Sequence, residues 1–368
     1  MIIKIATILI QRSLFGVFVG MLALSTAHSH HSTVANPALY EADNLIEYKA
    51  EIVKVNWRNP HVTLMATITE GPDTGMEWEL ELGATGIMAL SRAGINRDFV
   101  KPGDLVSIAG YRSRWGKSEN SMGLLHLLLP NGREYVDTNR PARWVSEDLS
   151  LRTLGNLRTP DEETKDGAEK IAAARESANG IFRVYGENPV RKGPPHPRPE
   201  TYTHLLTEKG RKLAAEFNVV TDNPELRCEQ GMPTTMFDPV PMEIIDDGER
   251  ILINIEEHDI KRIVHLNATA EDANNAPASA LGYSRGEWDG DTLIVTTTRI
   301  NWPYFDPYGT PQSDQAQYVE TFSISEDGER LNYNFTATDP VMFTEPVVID
   351  WPRAWSPGTE LQEFNCTF

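Results

Sequence analysis

Between residues 40 and 140, hydrophobic and polar residues alternate in short runs that are typical of half-buried strands. A run with helical spacing, 83–93, follows the third of them. The predicted strands are 46–55, 62–68, 78–82, 105–111 and 124–129. Three strands, a helix and two more strands is the order of an OB-fold, which is a small, partly open barrel. We therefore predict an OB-fold-like domain over residues 40–140.

The alternating pattern returns near residue 242 and continues to the end of the sequence. Asp-Gly pairs at 247–248, 289–290 and 327–328 mark tight hairpin turns. The predicted strands are 242–245, 251–256, 260–266, 282–288, 292–298, 317–324, 331–338, 345–349 and 360–366. Many short antiparallel strands indicate a barrel or a sandwich. We interpret residues 226–368 as an antiparallel, lipocalin-like β-barrel with an internal pocket, which makes the whole chain mainly β.

The segment 141–225 has a different character, because it is rich in charged residues, Gly and Pro. Its proline-rich run, 191–199, can sustain neither a helix nor a central strand. Helical patterns over 160–177 and 207–217 interrupt it. We predict a connector with short helices. A chain of 368 residues also exceeds the usual size of a single core, which favours two domains.

Residues 1–27 have the pattern of a secretory signal peptide. Lys4 and Arg12 precede an apolar run, 14–24, which is short for a membrane span, and Ser25-Thr26-Ala27 places small residues before a cleavage site. An uncleaved membrane anchor is the alternative. We predict a periplasmic or secreted protein with no stable membrane anchor after processing.

Acidic residues exceed basic ones, and the formal net charge is −19. This balance disfavours nucleic acid and anionic lipid, both of which attract basic patches. The two cysteines, Cys228 and Cys366, lie in the exported part, where an oxidising compartment favours a disulfide bond between them. A reactive thiol is the alternative.

Several motifs resemble known families. The N-terminal part resembles a family of exported bacterial proteins of unknown function, and the C-terminal part resembles a second uncharacterised, β-rich family. The first resemblance rests on His30-His31-Ser32, Trp57-Arg58-Asn59-Pro60-His61 and Lys101-Pro102-Gly103-Asp104. The second rests on Cys228, Gly231-Met232-Pro233, 241–244 and 286–293. Neither resemblance implies a reaction.

A histidine-rich N-terminus is a candidate metal site. Cleavage after Ala27 would start the mature chain at His28, with His30 in third position, and an amine with such a histidine chelates copper in a square plane. The alternative geometry combines His28 with a distant imidazole, for which His61 is the candidate. Copper is thus the one cofactor that the sequence proposes, and a frayed polar terminus is the competing interpretation.

Candidate acid–base residues lie in the hairpin over 251–262. If its even-numbered residues face the barrel interior, Glu256, His258 and Arg262 bring a carboxylate, an imidazole and a guanidinium into one apolar pocket. In the alternative, the hairpin turns near His258 and Glu256 forms a structural pair with Arg262.

A long aromatic loop, 301–318, is a candidate lid over the barrel mouth. Its aromatic side chains, Trp302, Tyr304, Phe305 and Tyr308, suit a small apolar or aromatic ligand. The leading hypothesis is therefore an exported protein that binds such a molecule in the barrel. A cofactor-independent lyase, isomerase or hydrolase, and a copper-binding protein, are the alternatives.

Overall fold

The computed structural model describes residues 39–82, 86–114, 120–137, 140–152, 165–186 and 197–367. In these ranges the chain is mainly β, as predicted, and its strands form two sheets. The predicted leader and the histidines at 28 and 30 lie outside the described residues. No helix among the described residues is long and apolar enough to cross a membrane.

The first sheet contains the strands before residue 153. Strand β1 pairs antiparallel with both β2 and β4, and β3 pairs antiparallel with β2 but parallel with β5. Because β5 also pairs with β4, five strands close into a ring, to which β6 and β7 add an extension. The elements are β1 (Tyr40–Asn56), β2 (Thr63–Glu70), β3 (Glu77–Leu82), α1 (Ile87–Arg92), β4 (Leu105–Ser113), β5 (Ser121–Leu128), β6 (Glu134–Val136) and β7 (Ser150–Arg152).

The second sheet contains the later strands, and its neighbours pair antiparallel except for β11 and β12, which helix α4 connects. Its elements are β8 (Val184–Tyr185), β9 (Met242–Asp246), β10 (Arg250–Ile255), β11 (Ile260–His265), α4 (Ala270–Asn275), β12 (Tyr283–Asp289), β13 (Thr292–Thr298), β14 (Gln317–Ile324), β15 (Arg330–Thr338), β16 (Val347–Asp350) and β17 (Arg353–Ala354). Two further helices, α2 (Lys165–Glu176) and α3 (Glu208–Glu216), precede β9.

The residues after β17 connect the two ends of the second sheet. Strand β17 pairs with β15, while Ser356 N donates to Val184 O at 2.9 Å and Gly186 N donates to Ala354 O at 2.8 Å. Since Val184 belongs to β8, the first strand of the sheet is hydrogen-bonded to the segment that follows its last strand.

The interior of the second sheet holds large side chains. Residues on β13, β14 and β15 alternate between buried and more exposed positions, as the period of a strand requires. Tyr318, Phe322, Tyr333 and Phe335 are fully buried there and belong to one continuous hydrophobic cluster. Burial of such a cluster is the main source of stability for this part of the chain.

The segment predicted as the last strand, 360–366, is not one. Its backbone amides donate to side chains outside the sheets: Gln362 N to Glu256 Oε2 at 2.9 Å, and Phe364 N to Asp259 Oδ1 at 2.8 Å. We call residues 360–367 the C-terminal tail. It reaches the first sheet as well, since Thr367 N donates to Asn59 O at 3.1 Å. The tail therefore contacts the turn after β10 and the loop after β1 and extends neither sheet as a strand.

Candidate functional site

Strand β10, in the hairpin that carries the predicted acid–base residues, turns its odd-numbered residues toward the core, not its even-numbered ones. Ile251, Ile253 and Ile255 are buried, whereas Leu252 and Asn254 are only partly buried. The odd-numbered face of β10 therefore points into the core. Strand β10 ends at Ile255, so residues 256–259 form a turn and no longer follow the strand period.

Arg262 lies in the interior of the second sheet, where it pairs with Glu320. Its Nη1 donates to Glu320 Oε1 at 2.9 Å, and its other nitrogens donate to Ser284 and Thr297. Tyr333 donates its hydroxyl hydrogen to the same carboxylate at 2.8 Å. Because every group of this network has a partner, its geometry is that of a structural element of the core.

Glu256 points toward the first sheet and does not pair with Arg262. Its carboxylate forms a two-pronged ion pair with Arg92 at the end of α1, and Arg92 Nη1 lies 2.7 Å from Glu256 Oε1. Only 2% of the Glu256 side chain is exposed. The pair connects the second sheet to the first, and the sequence offered no sign of it because its members are far apart along the chain.

His258 occupies a left-handed backbone conformation, with φ of 59°. Its ring packs on Phe364 of the tail, with 5.0 Å between ring centroids. Burial lowers the pKa of His258 to about 4, so the ring is neutral at pH 7. Glu256, His258 and Arg262 thus have three different partners and do not converge on one pocket.

His61, the distant imidazole proposed for copper, lies beside Glu81. Its Nδ1 contacts Glu81 Oε1, and the two side chains are 19% and 13% exposed. Its proposed co-ligands, His28 and His30, lie outside the described residues. Among the residues that are described, no group of three or more His, Cys, Asp or Glu side chains is placed to hold a metal ion.

The aromatic loop packs closely against its surroundings. Phe305 is 3% exposed and contacts Tyr202, with 5.1 Å between ring centroids. Tyr304 meets Phe217 edge to face, and Trp302 lies on Gly231, where an added Cβ would come within 2.6 Å of the indole. Tyr308 is half-buried. Phe305 therefore belongs to the core, and the other three side chains line its border.

The predicted disulfide bond is confirmed. Cys228 and Cys366 are joined, with 5.9 Å between their Cα atoms and 138 residues between them in sequence. The bond holds the tail against the segment that precedes β9.

A groove of about 610 Å³ is lined by helix α2, by β8 and β9, and by residues 355–360. Small and apolar side chains form much of it, including Ala173, Ala174, Phe182 and Ile244. Trp355 lines it as well, next to the segment that connects the ends of the sheet. We call this feature the α2 groove. Its volume lies within the range of small-molecule sites in proteins.

Arg183 supplies the least satisfied polar group of the α2 groove. Its guanidinium lies 4.3 Å from the centre of the Trp355 ring, and that of Arg175 lies 4.8 Å from the same ring. Arg183 Nη1 donates to Gly328 O at 2.7 Å. Its Nε is buried and has no acceptor among the described residues. A buried donor without an acceptor is costly, so a ligand oxygen that met Arg183 Nε after a small turn of this side chain toward the groove would be stabilising.

Charges of both signs border the groove. Lys170 and Arg183 are basic, whereas Glu243, Asp246 and Glu360 are acidic. Lys170 Nζ lies 3.9 Å from Glu360 Oε1, and both residues line the groove. No local sequence pattern predicts this site, because its residues come from the connector, from β9 and from the segment after β17.

Comparison with known proteins agrees with one of the two resemblances. Residues 20–122 match the model of a family of unknown function (DUF6152). The match covers the first sheet as far as the start of β5. No curated protein matches the chain. The resemblance of the C-terminal part to a second family stays a prediction.

Proposed function

We propose that the chain is an exported protein that binds a small molecule with an apolar body and a hydrogen-bond acceptor, and that the α2 groove is its binding site. The observation that carries the proposal is the buried Nε of Arg183, which has no acceptor among the described residues and borders a groove of about 610 Å³. The side chains of Ala173, Ala174 and Phe182 would contact the apolar body.

The occupied interior of the second sheet favours the groove over the barrel interior as the binding site. Positions facing inward hold Arg262, Glu320, Tyr318 and Tyr333, which hydrogen-bond to one another or to their neighbours. A ligand there would have to displace a satisfied polar network, at a considerable cost in free energy. Binding in the α2 groove breaks none of these contacts.

The mixed charge of the groove favours ligands of zero net charge. An anion would gain from Arg183 but would face Glu243 and Asp246, and a cation would meet the reverse situation. A carbonyl, ether or amide oxygen can accept from Arg183 Nε without carrying charge.

We also infer an OB-fold-like identity for the first sheet. The ring order β1-β2-β3-β5-β4, with a parallel β3–β5 pair and α1 after β3, supports it. A lipocalin-like identity for the second sheet stays a proposal, which the run of antiparallel strands from β12 to β16 supports.

Binding of the fluorescent probe 6-propionyl-2-(dimethylamino)naphthalene tests the function, because it joins a neutral apolar ring system to a carbonyl oxygen. Ala174→Trp would fill the groove, and Ala172→Trp is the matched control, because Ala172 is exposed and outside the groove lining. We expect saturable binding, weakened about tenfold or more by A174W and unchanged by A172W. Equal affinity of A174W and the unmodified protein would refute the groove as the binding site.

A further inference from the structure

One wall of the α2 groove runs directly into the C-terminal tail. Residues 355–360 line the groove, and Glu360 is also the first residue of the tail. At its upstream end this wall is attached to the second sheet, because Ser356 N donates to Val184 O at 2.9 Å. Its downstream end continues into the tail, so the contacts of the tail decide how firmly that end is held.

Between its two ends the wall has few attachments of its own. Pro357 and Thr359 are buried. Among the described residues the hydrogen bonds of this stretch are local, since Thr359 N donates to Ser356 O at 3.2 Å and the two hydroxyl oxygens lie 3.0 Å apart. Glu360 adds an exposed ion pair with Lys170, of a kind that contributes little. The position of the wall therefore depends on the tail.

The tail is held at the turn after β10. Phe364 N donates to Asp259 Oδ1 at 2.8 Å, and Asn365 N donates to Oδ2 of the same carboxylate at 3.1 Å. The buried ring of Phe364 packs on the ring of His258. Two consecutive residues of one short turn thus hold the tail.

Four residues at this anchor have left-handed backbone conformations, which are uncommon for residues other than glycine. The φ angles are 61° for Cys228, 59° for His258, 51° for Asp259 and 48° for Asn365. In the described part of the chain, Arg299 is the one other non-glycine residue with a positive φ. Such conformations persist where the surrounding structure holds them, and they concentrate in switch regions. The anchor should therefore relax once its contacts are removed.

The disulfide bond is the covalent attachment of the tail. It joins Cys366 to Cys228, in the segment that precedes β9. Both cysteines are half-buried, and the residues on either side of each are exposed. A small thiol can therefore approach the bond without unfolding of either sheet.

We propose that the bond between Cys228 and Cys366 is a redox latch for the α2 groove. Reduction by a dithiol releases the tail from the turn after β10, and residues 357–360 then lose their downstream attachment. The groove loses part of its wall and binds its ligand more weakly. This proposal rests on the binding function proposed above and adds the regulation of that site.

The reduction is a thiol–disulfide exchange. One thiolate of the dithiol attacks a sulfur of the bond, which forms a mixed disulfide and releases the other cysteine as a thiolate. The second thiolate of the dithiol attacks the mixed disulfide and releases the second cysteine. The protein disulfide has then gained two electrons and two protons, and the dithiol has become a cyclic disulfide. An oxidised dithiol reverses the same steps, so the latch can close again.

Hydrogen–deuterium exchange of the full-length protein, with and without dithiothreitol, tests the latch itself. We expect peptides from residues 357–367 to exchange about tenfold or more faster after reduction, while peptides from β13 to β15 keep their protection. Unchanged exchange over 357–367 in the fully reduced protein would overturn the proposal. Loss of protection in β13 to β15 would overturn it as well, because the bond would then hold the whole fold and not the tail.

Binding of 6-propionyl-2-(dimethylamino)naphthalene tests the control of the groove. We expect dithiothreitol to weaken binding about tenfold. The Cys228→Ser/Cys366→Ser variant is the control for an effect of the reductant on the probe, and it should bind weakly with and without dithiothreitol. Equal affinities of the oxidised and reduced protein would overturn the redox control and leave the binding function standing. Absence of saturable binding by the oxidised protein would instead refute the binding function, whatever the exchange experiment shows for the tail.

Discussion

Arg262 and Glu320 form an ion pair in the interior of the second sheet, with 2.9 Å between Nη1 and Oε1. Their side chains are 1% and 0% exposed. Two charges so far from water are tolerated only because each is neutralised by the other and by hydrogen bonds from Ser284, Thr297 and Tyr333. Substitution of either residue therefore leaves a charge unpaired inside the core.

Arg262→Met should destabilise the protein by about 3–5 kcal/mol, because it leaves the Glu320 carboxylate buried without a counter-charge. Urea unfolding followed by circular dichroism measures the loss. Lys261→Met is the matched control on the same strand, since Lys261 is exposed, and it should change the free energy of unfolding by about 0.5 kcal/mol or less. Similar midpoints for the two variants would contradict the structural role of Arg262.

The ion pair between Arg92 and Glu256 should couple the two sheets. In a double-mutant cycle with Arg92→Met and Glu256→Gln, we expect a coupling free energy of about 1–3 kcal/mol, since both side chains are largely buried. Arg97→Met serves as the control because Arg97 is exposed on the next turn, and its combination with Glu256→Gln should be additive. A coupling energy near zero would mean that the pair does not hold the junction.

Loss of the disulfide bond should lower stability markedly. The chain-entropy model assigns about 4–5 kcal/mol to a closed loop of this length. Urea unfolding of the Cys228→Ser/Cys366→Ser variant measures the effect, and a reducing agent should shift the original protein to the same midpoint. A midpoint that reductant leaves unchanged would show that the bond contributes little.

Stability should decrease as the pH rises from about 4.5 to 8. Burial raises the pKa of Glu225 to about 8, so in this window the folded protein retains a proton that the unfolded chain releases. The free energy of unfolding then falls by about 1.4 kcal/mol per pH unit for that group. Glu257 adds to the slope up to about pH 7, whereas His258, whose pKa burial lowers to about 4, opposes it up to about pH 6.5.

Glu225→Gln should flatten this dependence, because glutamine has no proton to release. Glu229→Gln is the matched control, since Glu229 is exposed four residues further on. Urea midpoints at several pH values would measure both variants. A slope in Glu225→Gln equal to that of the unmodified protein would contradict the assignment.

The fold class could be predicted from local signals, because the turn between two strands of a hairpin depends on residues that are adjacent in sequence. Asp289-Gly290 is an example: β12 ends at Asp289, Gly290 has a φ of 59°, and β13 begins at Thr292. Thr207 likewise caps α3 by accepting from Gly210 N, as its position before the helical run indicates. The disulfide bond was predictable for another reason, since the chain contains only two cysteines.

The arrangement of the candidate sites could not be predicted in this way. Extrapolating the strand period past Ile255 fails because the chain turns there and His258 adopts a left-handed conformation. The partner of Glu256 is Arg92, 164 residues earlier, and the partner of Arg262 is Glu320, 58 residues later. Such pairs depend on how distant strands pack, and the sequence near each residue contains no record of it.

The C-terminal tail provides a natural reporter of the junction. The amides of Gln362, Phe364, Asn365 and Thr367 donate to Glu256, to Asp259 and to Asn59, and none of these bonds belongs to a strand ladder. In hydrogen–deuterium exchange the Thr367 amide, whose acceptor follows β1, should therefore exchange at a rate set by separation of the two sheets, whereas the other three amides should exchange only when the tail leaves the turn after β10. The difference between the two rates would show how often the two sheets part while the tail stays in place.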